Sequence, residues 1–196
     1  MSNSDFAHIC CIIDRSGSMH SIQSDAIGGF NAFIKAQKNE PGRAVFTLVL
    51  FNHEYAKLYD AVPLQDVQPL TVETYQPDGM TALLDAVGRG IDELGASLAA
   101  APEEERPGKV IVAILTDGEE NSSRVFTREQ VFETISHQRD VYKWEFFFLA
   151  ANQDAIQAGG SIGIAALYSM NFDATSDGIR LASENMSRIV ASSRRV

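Results

Sequence analysis

Three oxygen-bearing side chains occur at alternate positions directly after an apolar segment near the start of the chain. The segment covers residues 6–13, and the side chains belong to Asp14, Ser16 and Ser18, with Gly17 between the serines. Aspartate and serine at such a place are often turn residues or helix caps. Carboxylate and hydroxyl oxygens that converge from one turn are also the ligands that a hard divalent cation takes. Taken alone, the pattern leaves both interpretations open.

Two further oxygen-bearing side chains lie at the ends of other predicted elements. Asp117 follows the apolar segment 110–116, in the stretch LTDGEEN, and Thr81 lies in the stretch DGMTALLDA at the start of a predicted helix. The carboxyl ends of parallel strands meet at one edge of an open α/β sheet. If the segments before Asp14 and Asp117 are neighbouring central strands, their carboxylates face one crevice. The combined set of two carboxylates and three hydroxyls favours a metal site.

Apolar segments of strand type alternate with segments of helical period along the chain. VIVAIL (110–115) and FFFL (146–149) are apolar at every position, which is typical of parallel strands buried on both faces. Strands are predicted over 6–13, 45–51, 110–116, 145–151 and, more weakly, near 168–172. Helices are predicted from apolar spacing over 22–33, 84–98, 131–135 and 179–189.

Two local signals complete the prediction of the fold. Thr127 is placed to cap the helix around 131–135. Residues 54–58 are predicted to form an antiparallel edge strand with 45–51 through the turn at Asn52-His53. The alternation of strands and helices predicts one doubly wound α/β domain over residues 1–196.

Composition argues against several classes of function. Sixteen basic and 26 acidic residues give a formal net charge of −10, which disfavours nucleic acid or an anionic membrane as the main partner. No stretch approaches the ~20 consecutive apolar residues of a membrane span, and the N-terminus does not resemble a signal peptide. Cys10 and Cys11 are adjacent on a predicted strand, which favours two buried free thiols over a vicinal disulfide or a zinc site. We therefore expect a cytoplasmic protein.

The five oxygen-bearing residues resemble the metal-ion-dependent adhesion site (MIDAS) of von Willebrand factor A (vWA) domains. The resemblance covers nearly the whole chain and implies a Rossmann-like three-layer sandwich, in which helices flank a mostly parallel central sheet with one antiparallel edge strand. It also implies that Ser16, Ser18 and Thr81 bind the ion directly, while Asp14 and Asp117 bind it directly or through water. More narrowly, the chain is similar to stand-alone bacterial cytoplasmic vWA proteins of the tellurium-resistance (TerY-like) group, which is associated with stress and metal resistance.

The resemblance leads us to expect a protein-interaction module in which Mg²⁺, or alternatively Mn²⁺ or Ca²⁺, bridges to an Asp or Glu of a partner protein. We expect no enzymatic activity and no catalytic residues. The main alternative is a metal-dependent hydrolase of the phosphatase type, but the chain has no Asp-x-Asp pattern and no convincing general base beside the cluster. A nucleotide-binding domain is the third class. Neither G-x-G-x-x-G nor G-x-x-x-x-G-K-[ST] occurs, and Asp14 would repel phosphate unless a cation intervened.

Other polar residues receive simpler interpretations. Glu119 and Glu120 are expected to be solvated loop acids, with a role in partner choice as the alternative. Asp85 is expected to be a first-turn acid favoured by the helix dipole, and His8 a buried core histidine. The rim of the crevice is expected to include Asp78, Asn121, Asn152, Gln153 and Asp154. Related domains shift their last helix on binding, so the resemblance also leads us to consider coupling between the site and the terminal helix around 179–190.

Overall fold

One six-stranded sheet forms the centre of the structure. The computed structural model describes residues 3–151 and 154–195. The strands lie in the order β3-β2-β1-β4-β5-β6, and all neighbours are parallel except β2 and β3, which are antiparallel. The predicted fold class is therefore confirmed. The strands are β1 (Asn3–Asp14), β2 (Arg43–Phe51), β3 (Tyr55–Pro63), β4 (Pro107–Thr116), β5 (Glu145–Ala150) and β6 (Ser169–Asn171).

Helices cover both faces of this sheet. They are α1 (Gln23–Lys38), α2 (Leu83–Ala100), α3 (Arg128–Tyr142), α4 (Ala155–Ser161) and α5 (Ser176–Arg195). Helices α1 and α5 pack on one face, and α2, α3 and α4 pack on the other. Strand β1 alternates between the two cores, since Cys11 lies in the first and Cys10 in the second, both as buried free thiols. Burial on both faces explains why β1 and β4 are apolar at nearly every position.

Two elements differ from those predicted from the sequence. Strand β3 extends to Pro63 rather than ending at residue 58, and its pairing with β2 contains register shifts. Within it Ala61 has a φ of 51°, and its N–H donates to Thr47 Oγ1 at 3.0 Å. Helix α4 was not predicted because it is short and contains the pair Gly159-Gly160, which resembles a turn signal.

Side chains cap the N-termini of two helices. Thr127 caps α3 through a capping box with Gln130, which confirms the predicted cap. Asp154 caps α4, because its carboxylate accepts hydrogen bonds from two N–H groups of the first turn. Asn152 and Gln153, expected beside Asp154 at the rim, lie outside the described residues. Across 3–151 and 154–195, we find no helix with the length and hydropathy that crossing a membrane requires.

The last helix is fastened near its C-terminal end by a buried arginine. Arg194 is 8% exposed. Its guanidinium donates to the main-chain oxygens of Gln37 at 2.7 Å, Gly42 at 3.2 Å and Pro41 at 3.3 Å. Gln37 Nε2 in turn donates to the main-chain oxygen of Ser187 at 2.9 Å. These bonds join α5 to the end of α1 and to the turn that leads into β2.

His8 is buried in β1, as the sequence predicted. It is 3% exposed, and its Nε2 lies 2.8 Å from Thr47 Oγ1 in β2. Burial lowers the pKa of His8 to about 4; the negative charge of Asp60 opposes this shift, and the positive charge of Lys57 adds to it. The folded protein therefore holds His8 neutral well below the pH at which an exposed histidine is protonated.

The contribution of His8 to the free energy of unfolding is expected to fall as the pH is lowered from about 6.5 towards 4. An unfolded His8 takes up a proton near pH 6.5, while the folded one does so only near pH 4, so the unfolded state binds more protons in this window. The loss should reach about 3 kcal/mol. Asp14, whose pKa burial raises to about 6, changes the free energy of unfolding in the opposite direction over the same window, so the loss is measured as a difference between proteins. In urea unfolding in EDTA, the wild type and the exposed-site control His53→Gln should lose about 3 kcal/mol more than His8→Gln between pH 6.5 and pH 4. An equal pH dependence in all three proteins would contradict the assignment.

Candidate metal centre

The ends of the two central strands bring two carboxylates together. Strands β1 and β4 are adjacent and parallel. Asp14 is the last residue of β1, and Asp117 directly follows β4. The direction of winding reverses at this pair of strands, which is where open α/β sheets bind ligands. The two residues are almost inaccessible, with 0% and 3% of their surface exposed.

The carboxylate of Asp14 is held on both of its oxygens. Oδ1 accepts a hydrogen bond from Ser16 N at 2.6 Å, and Oδ2 accepts one from Thr116 Oγ1 at 2.6 Å. Thr116 Oγ1 also accepts from Gly118 N at 3.2 Å, so it connects the two strand ends. The main-chain oxygen of Asp14 accepts from the buried hydroxyl of Tyr75 at 2.6 Å. Orientation of Asp14 is therefore fixed by neighbours on three segments of the chain.

Sequence reasoning missed Thr116 and Tyr75. Thr116 could have been found from the sequence. It ends an apolar strand just before Asp117, so its hydroxyl lies at the same edge of the sheet as the two carboxylates. Tyr75 gives no such signal, because it lies in an irregular segment without apolar period. Its side chain is nevertheless fully buried.

Two hydroxyls of the first turn extend the cluster. Ser16 Oγ lies 3.1 Å from Ser18 Oγ, and Ser18 Oγ donates to Asp117 Oδ1 at 2.6 Å. Ser16, with extended backbone, is the N-cap residue of a 3₁₀ helix over Gly17–Ile22, and Ser18 lies in the first turn of that helix. Ser16 is buried, whereas Ser18 is exposed to solvent. The cluster can therefore be reached from outside through the Ser18 side.

The fifth predicted residue, Thr81, meets the serines around Gly118. A Cβ placed on Gly118 would lie 3.1 Å from Thr81 Oγ1, 3.3 Å from Ser18 Oγ and 3.9 Å from Ser16 Oγ. Three hydroxyl oxygens from two separate segments thus surround one point beside the Asp117 loop. The structure brings all five of the residues singled out in the sequence into one cluster.

Burial and mutual repulsion shape the electrostatics of the two acids. Burial raises the pKa of Asp14 to about 6, the hydrogen bonds from Thr116 and Ser16 oppose this, and the charge of Asp117 adds to it. Burial also raises the pKa of Asp117, and the bond from Ser18 opposes it. Two buried carboxylates that lie close together are stabilised in their charged form by a cation between them.

The donor set fits a small hard divalent ion. Neighbouring ligands of an octahedral Mg²⁺ site are about 3 Å apart, because each oxygen lies about 2.1 Å from the ion. The distance of 3.1 Å between the Ser16 and Ser18 hydroxyl oxygens matches this spacing. Among residues 3–151 and 154–195, no group of three or more His, Cys, Asp or Glu side chains is placed to hold a metal ion. The cluster instead offers only oxygen ligands, three of which carry no charge, and such ligands suit Mg²⁺, Mn²⁺ or Ca²⁺.

The expectation that Glu120 is a solvated acid is wrong. Its Oε1 accepts from Ser122 N at 2.9 Å and from Ser123 N at 2.7 Å. Its Oε2 accepts from Leu84 N at 2.9 Å and from Ser123 Oγ at 2.7 Å. Only Glu119 of the pair is exposed. The sequence could not separate the two acids, because the partners of Glu120 are mostly backbone N–H groups.

Asp85 has a larger role than a first-turn helix acid. Its carboxylate accepts hydrogen bonds from the N–H groups of Arg124 at 2.8 Å, Val125 at 2.9 Å and Phe126 at 2.8 Å. Burial tends to raise the pKa of Asp85, but these three bonds outweigh it and lower the pKa. Asp85 therefore binds the loop that leads from Asp117 to α3.

The rim of the cluster combines exposed and structural residues. Asp78 and Met80 are exposed in the loop before Thr81, and His20 is exposed on the 3₁₀ helix. Asn121 is bonded to Thr81 in both directions: its Oδ1 accepts from Thr81 N at 2.9 Å, and its N–H donates to Thr81 O at 3.0 Å. Asn121 therefore serves to place Thr81.

Comparison with known proteins supports the fold. No protein-family model and no curated protein sequence matches the chain. Among solved structures, the chain is similar to a von Willebrand factor type A protein of Catenulispora acidiphila, with 17% identity and a TM-score of 0.65 over 92% of this chain and 42% of the other. It is also similar to proximal thread matrix protein 1 of the mussel byssus, with 18% identity and a TM-score of 0.62 over 94% of this chain.

A third similar structure is the TRAP protein of Plasmodium vivax, with 16% identity and a TM-score of 0.53 over 75% of this chain and 57% of the other. The chain spans 46% of the mussel protein, or about half of its length. The mussel structure is described as having a zinc-occupied MIDAS motif, and the Plasmodium structure as loaded with manganese. At these identities the similarities show that the chain has the vWA fold, and they show nothing further about its ligands.

Proposed function

We propose that this chain is a divalent-metal-dependent protein-interaction module. In this proposal five residues hold a Mg²⁺ ion, and an Asp or Glu carboxylate of a partner protein completes its coordination. The observation that carries the proposal is the convergence of two buried carboxylates and three hydroxyls at the switch point of the sheet. The residues are Asp14, Ser16, Ser18, Thr81 and Asp117.

The charges of the cluster suit a partner carboxylate. Two acids balance the charge of a divalent ion, and the three hydroxyls add ligands without adding charge. When bound, the ion supplies positive charge and room for one more anionic oxygen. Ser18 is exposed while Asp14 is buried, so the open side of the cluster faces solvent. The protein groups hold the buried side, and a partner can approach from the Ser18 side.

The nature of the ion and the biological setting belong to the same proposal. The zinc and manganese in two similar structures support a divalent ion at this edge of the sheet. We propose Mg²⁺ as the native ion, with Mn²⁺ or Ca²⁺ as alternatives, on the basis of the all-oxygen ligand set. The resemblance to TerY-like proteins suggests a role in bacterial stress or metal resistance in the cytoplasm.

A hydrolase is less well supported by the geometry. The hydrogen bonds to Asp14 and Asp117 orient both carboxylates within the cluster, and the chain has no Asp-x-Asp pattern for a phosphoaspartate nucleophile. His53 lies against Gly79, where it packs on the loop before Thr81. No contact of the described residues places a general base beside the cluster.

Metal-stripped protein is expected to unfold at a higher temperature when Mg²⁺ or Mn²⁺ is added. An ion that binds only the folded state stabilises it by mass action, by about 2.7 kcal/mol at an ion concentration 100 times the Kd. For a chain of this size the midpoint should rise by roughly 5–10 °C. Differential scanning calorimetry in EDTA and then in excess ion measures the shift. Asp117→Ala should lose it, and Asp92→Ala, on the exposed face of α2, should keep it; equal shifts in all three proteins would contradict the site.

Partner recognition can be tested with matched synthetic peptides. Immobilised peptides that contain one Glu or Asp should capture the Mn²⁺-loaded protein, and the same peptides with Gln or Asn should not. Capture should disappear in EDTA and in Asp14→Ala. Equal capture by acid and amide peptides would exclude a carboxylate as the partner group.

A further inference from the structure

We propose that Glu120 and Asp85 are positioning residues that lock the segment carrying Thr81 to the loop carrying Asp117. The inference rests on the proposed function and identifies what keeps two parts of the metal centre in register. Neither residue belongs to the oxygen cluster itself. Asp85 bonds across to the loop, whereas Glu120 bonds across to Leu84 and also within its own loop, to Ser122 and Ser123.

The N-terminus of α2 depends on the opposite loop for its caps. The residue at the N-cap position is Ala82, which has no side-chain cap. First-turn N–H groups have no partner inside the helix. Here Leu84 N donates to Glu120 Oε2 at 2.9 Å, and Asp85 N donates to Ser123 Oγ at 3.0 Å. The helix that begins two residues after Thr81 is therefore capped by residues of the loop after β4.

Asp85 forms the return connection. Its carboxylate, on the first turn of α2, accepts three N–H groups of residues 124–126, all within 2.9 Å. Hydrogen bonds to a charged carboxylate are about twice as strong as those between neutral groups. Loop and helix thus cap each other, and either can shift only if several charge-assisted bonds break.

This reciprocal cap is connected to the backbone of Thr81 through Asn121. Asn121, next to Glu120 in the chain, bonds both the N–H and the C=O of Thr81. The same loop begins at Gly118, beside which Thr81 Oγ1 approaches the serine hydroxyls. Glu120 bonds on one side to Leu84 and on the other to Ser122 and Ser123. Its removal should let Thr81 move away from the rest of the cluster.

An alternative explanation for any effect of Glu120 is its negative charge near a cation site. The chain provides its own control, because Glu119 has the same charge, is adjacent and is exposed. If negative charge on the loop attracts the ion, neutralising either glutamate should weaken binding. If position is what matters, only Glu120 should have an effect. Asp92 provides the same control for Asp85, since it is exposed on the same helix.

The experiment measures Mn²⁺ binding to metal-stripped full-length protein by EPR of the free ion. Glu120→Ala and Asp85→Asn should lower the affinity about 10- to 100-fold, as the loss of groups that orient metal ligands commonly does. Glu119→Gln and Asp92→Asn should stay within about two-fold of the wild type. Glu120→Gln, which keeps one carbonyl acceptor, should fall between these values. Unfolding midpoints in EDTA identify any variant that fails to fold, and Glu120→Gln then carries the test.

The outcomes separate this inference from the proposed function. Wild-type affinity in Glu120→Ala would overturn the inference, and so would equal losses in Glu119→Gln and Glu120→Gln. If the wild type itself shows no saturable Mn²⁺ binding, the proposed function fails. The inference is then decided by NMR of metal-free protein: shifted amide resonances of Thr81 and Gly118 in Glu120→Gln support it, and unshifted ones overturn it.

Discussion

Gly118→Ala is expected to weaken binding of Mn²⁺ at the proposed centre strongly while the protein still folds. The added methyl carbon would lie 3.1 Å from Thr81 Oγ1 and 3.3 Å from Ser18 Oγ, among the oxygens that would bind the ion. Both hydroxyls would have to move apart, and an apolar group would occupy the space between them. We expect the affinity to fall by about 100-fold or more, the upper range for disturbed metal ligands.

A second glycine provides the control for this variant. Gly28 lies on α1, and a Cβ there would have no neighbouring atom within 4 Å. Gly28→Ala should therefore leave Mn²⁺ affinity unchanged and stabilise the helix by about 0.5–1 kcal/mol. Isothermal titration with Mn²⁺ measures affinity, and thermal unfolding in EDTA shows that both variants fold. Wild-type affinity in Gly118→Ala would mean that these hydroxyls do not hold the ion.

Arg194→Met is expected to cause the largest loss of stability among the changes considered. The variant removes a guanidinium that donates to three main-chain oxygens and leaves these acceptors in a site where Arg194 is only 8% exposed. A buried acceptor left without a donor costs about 1–3 kcal/mol. Partial rehydration will offset some of this, and we expect a net loss of about 3 kcal/mol, or roughly 6–12 °C in the midpoint of thermal unfolding.

Arg195, which follows Arg194 in the chain, provides the control for the Arg194→Met variant. Arg195 is exposed and pairs with Glu40 at the surface. Such pairs contribute about 0–1 kcal/mol, so Arg195→Met should change stability little. Urea unfolding of the two variants in EDTA measures the difference. Equal effects would mean that the connection from α5 to the α1–β2 turn does not stabilise the fold.

The parts of the fold that could be predicted are those in which burial determines residue type. Strands β1, β2, β4 and β5 lie between two helical layers, so their sequences are apolar on both faces and were recognised. Strand β3 is an edge with bulges, and its exposed positions hide its full length. Helix α4 has seven residues, including two glycines, which is too short for a clear period.

The residues of the candidate site also fall into those that could be predicted from the sequence and those that could not. Asp14, Ser16, Ser18, Thr81 and Asp117 were recognisable because each lies at the end of an element that could itself be predicted. Glu120 was misread, and Asp85, which is the first-turn acid that was predicted, has further bonds that were missed. Both depend on backbone N–H groups 36–41 residues away, which leave no mark on the local sequence. Tyr75 is a similar case, because its bond to Asp14 O spans 61 residues.

The long sequence separations within the site also determine when it can form. The bond between Thr116 and Asp14 spans 102 residues, and that between Ser18 and Asp117 spans 99. Contacts of such separation form only when the chain between them has closed into a long loop, and in general they slow folding. A ligand that needs all of these segments therefore finds no site in the unfolded chain. It lengthens the lifetime of the native state by slowing unfolding, and it leaves the rate of folding unchanged.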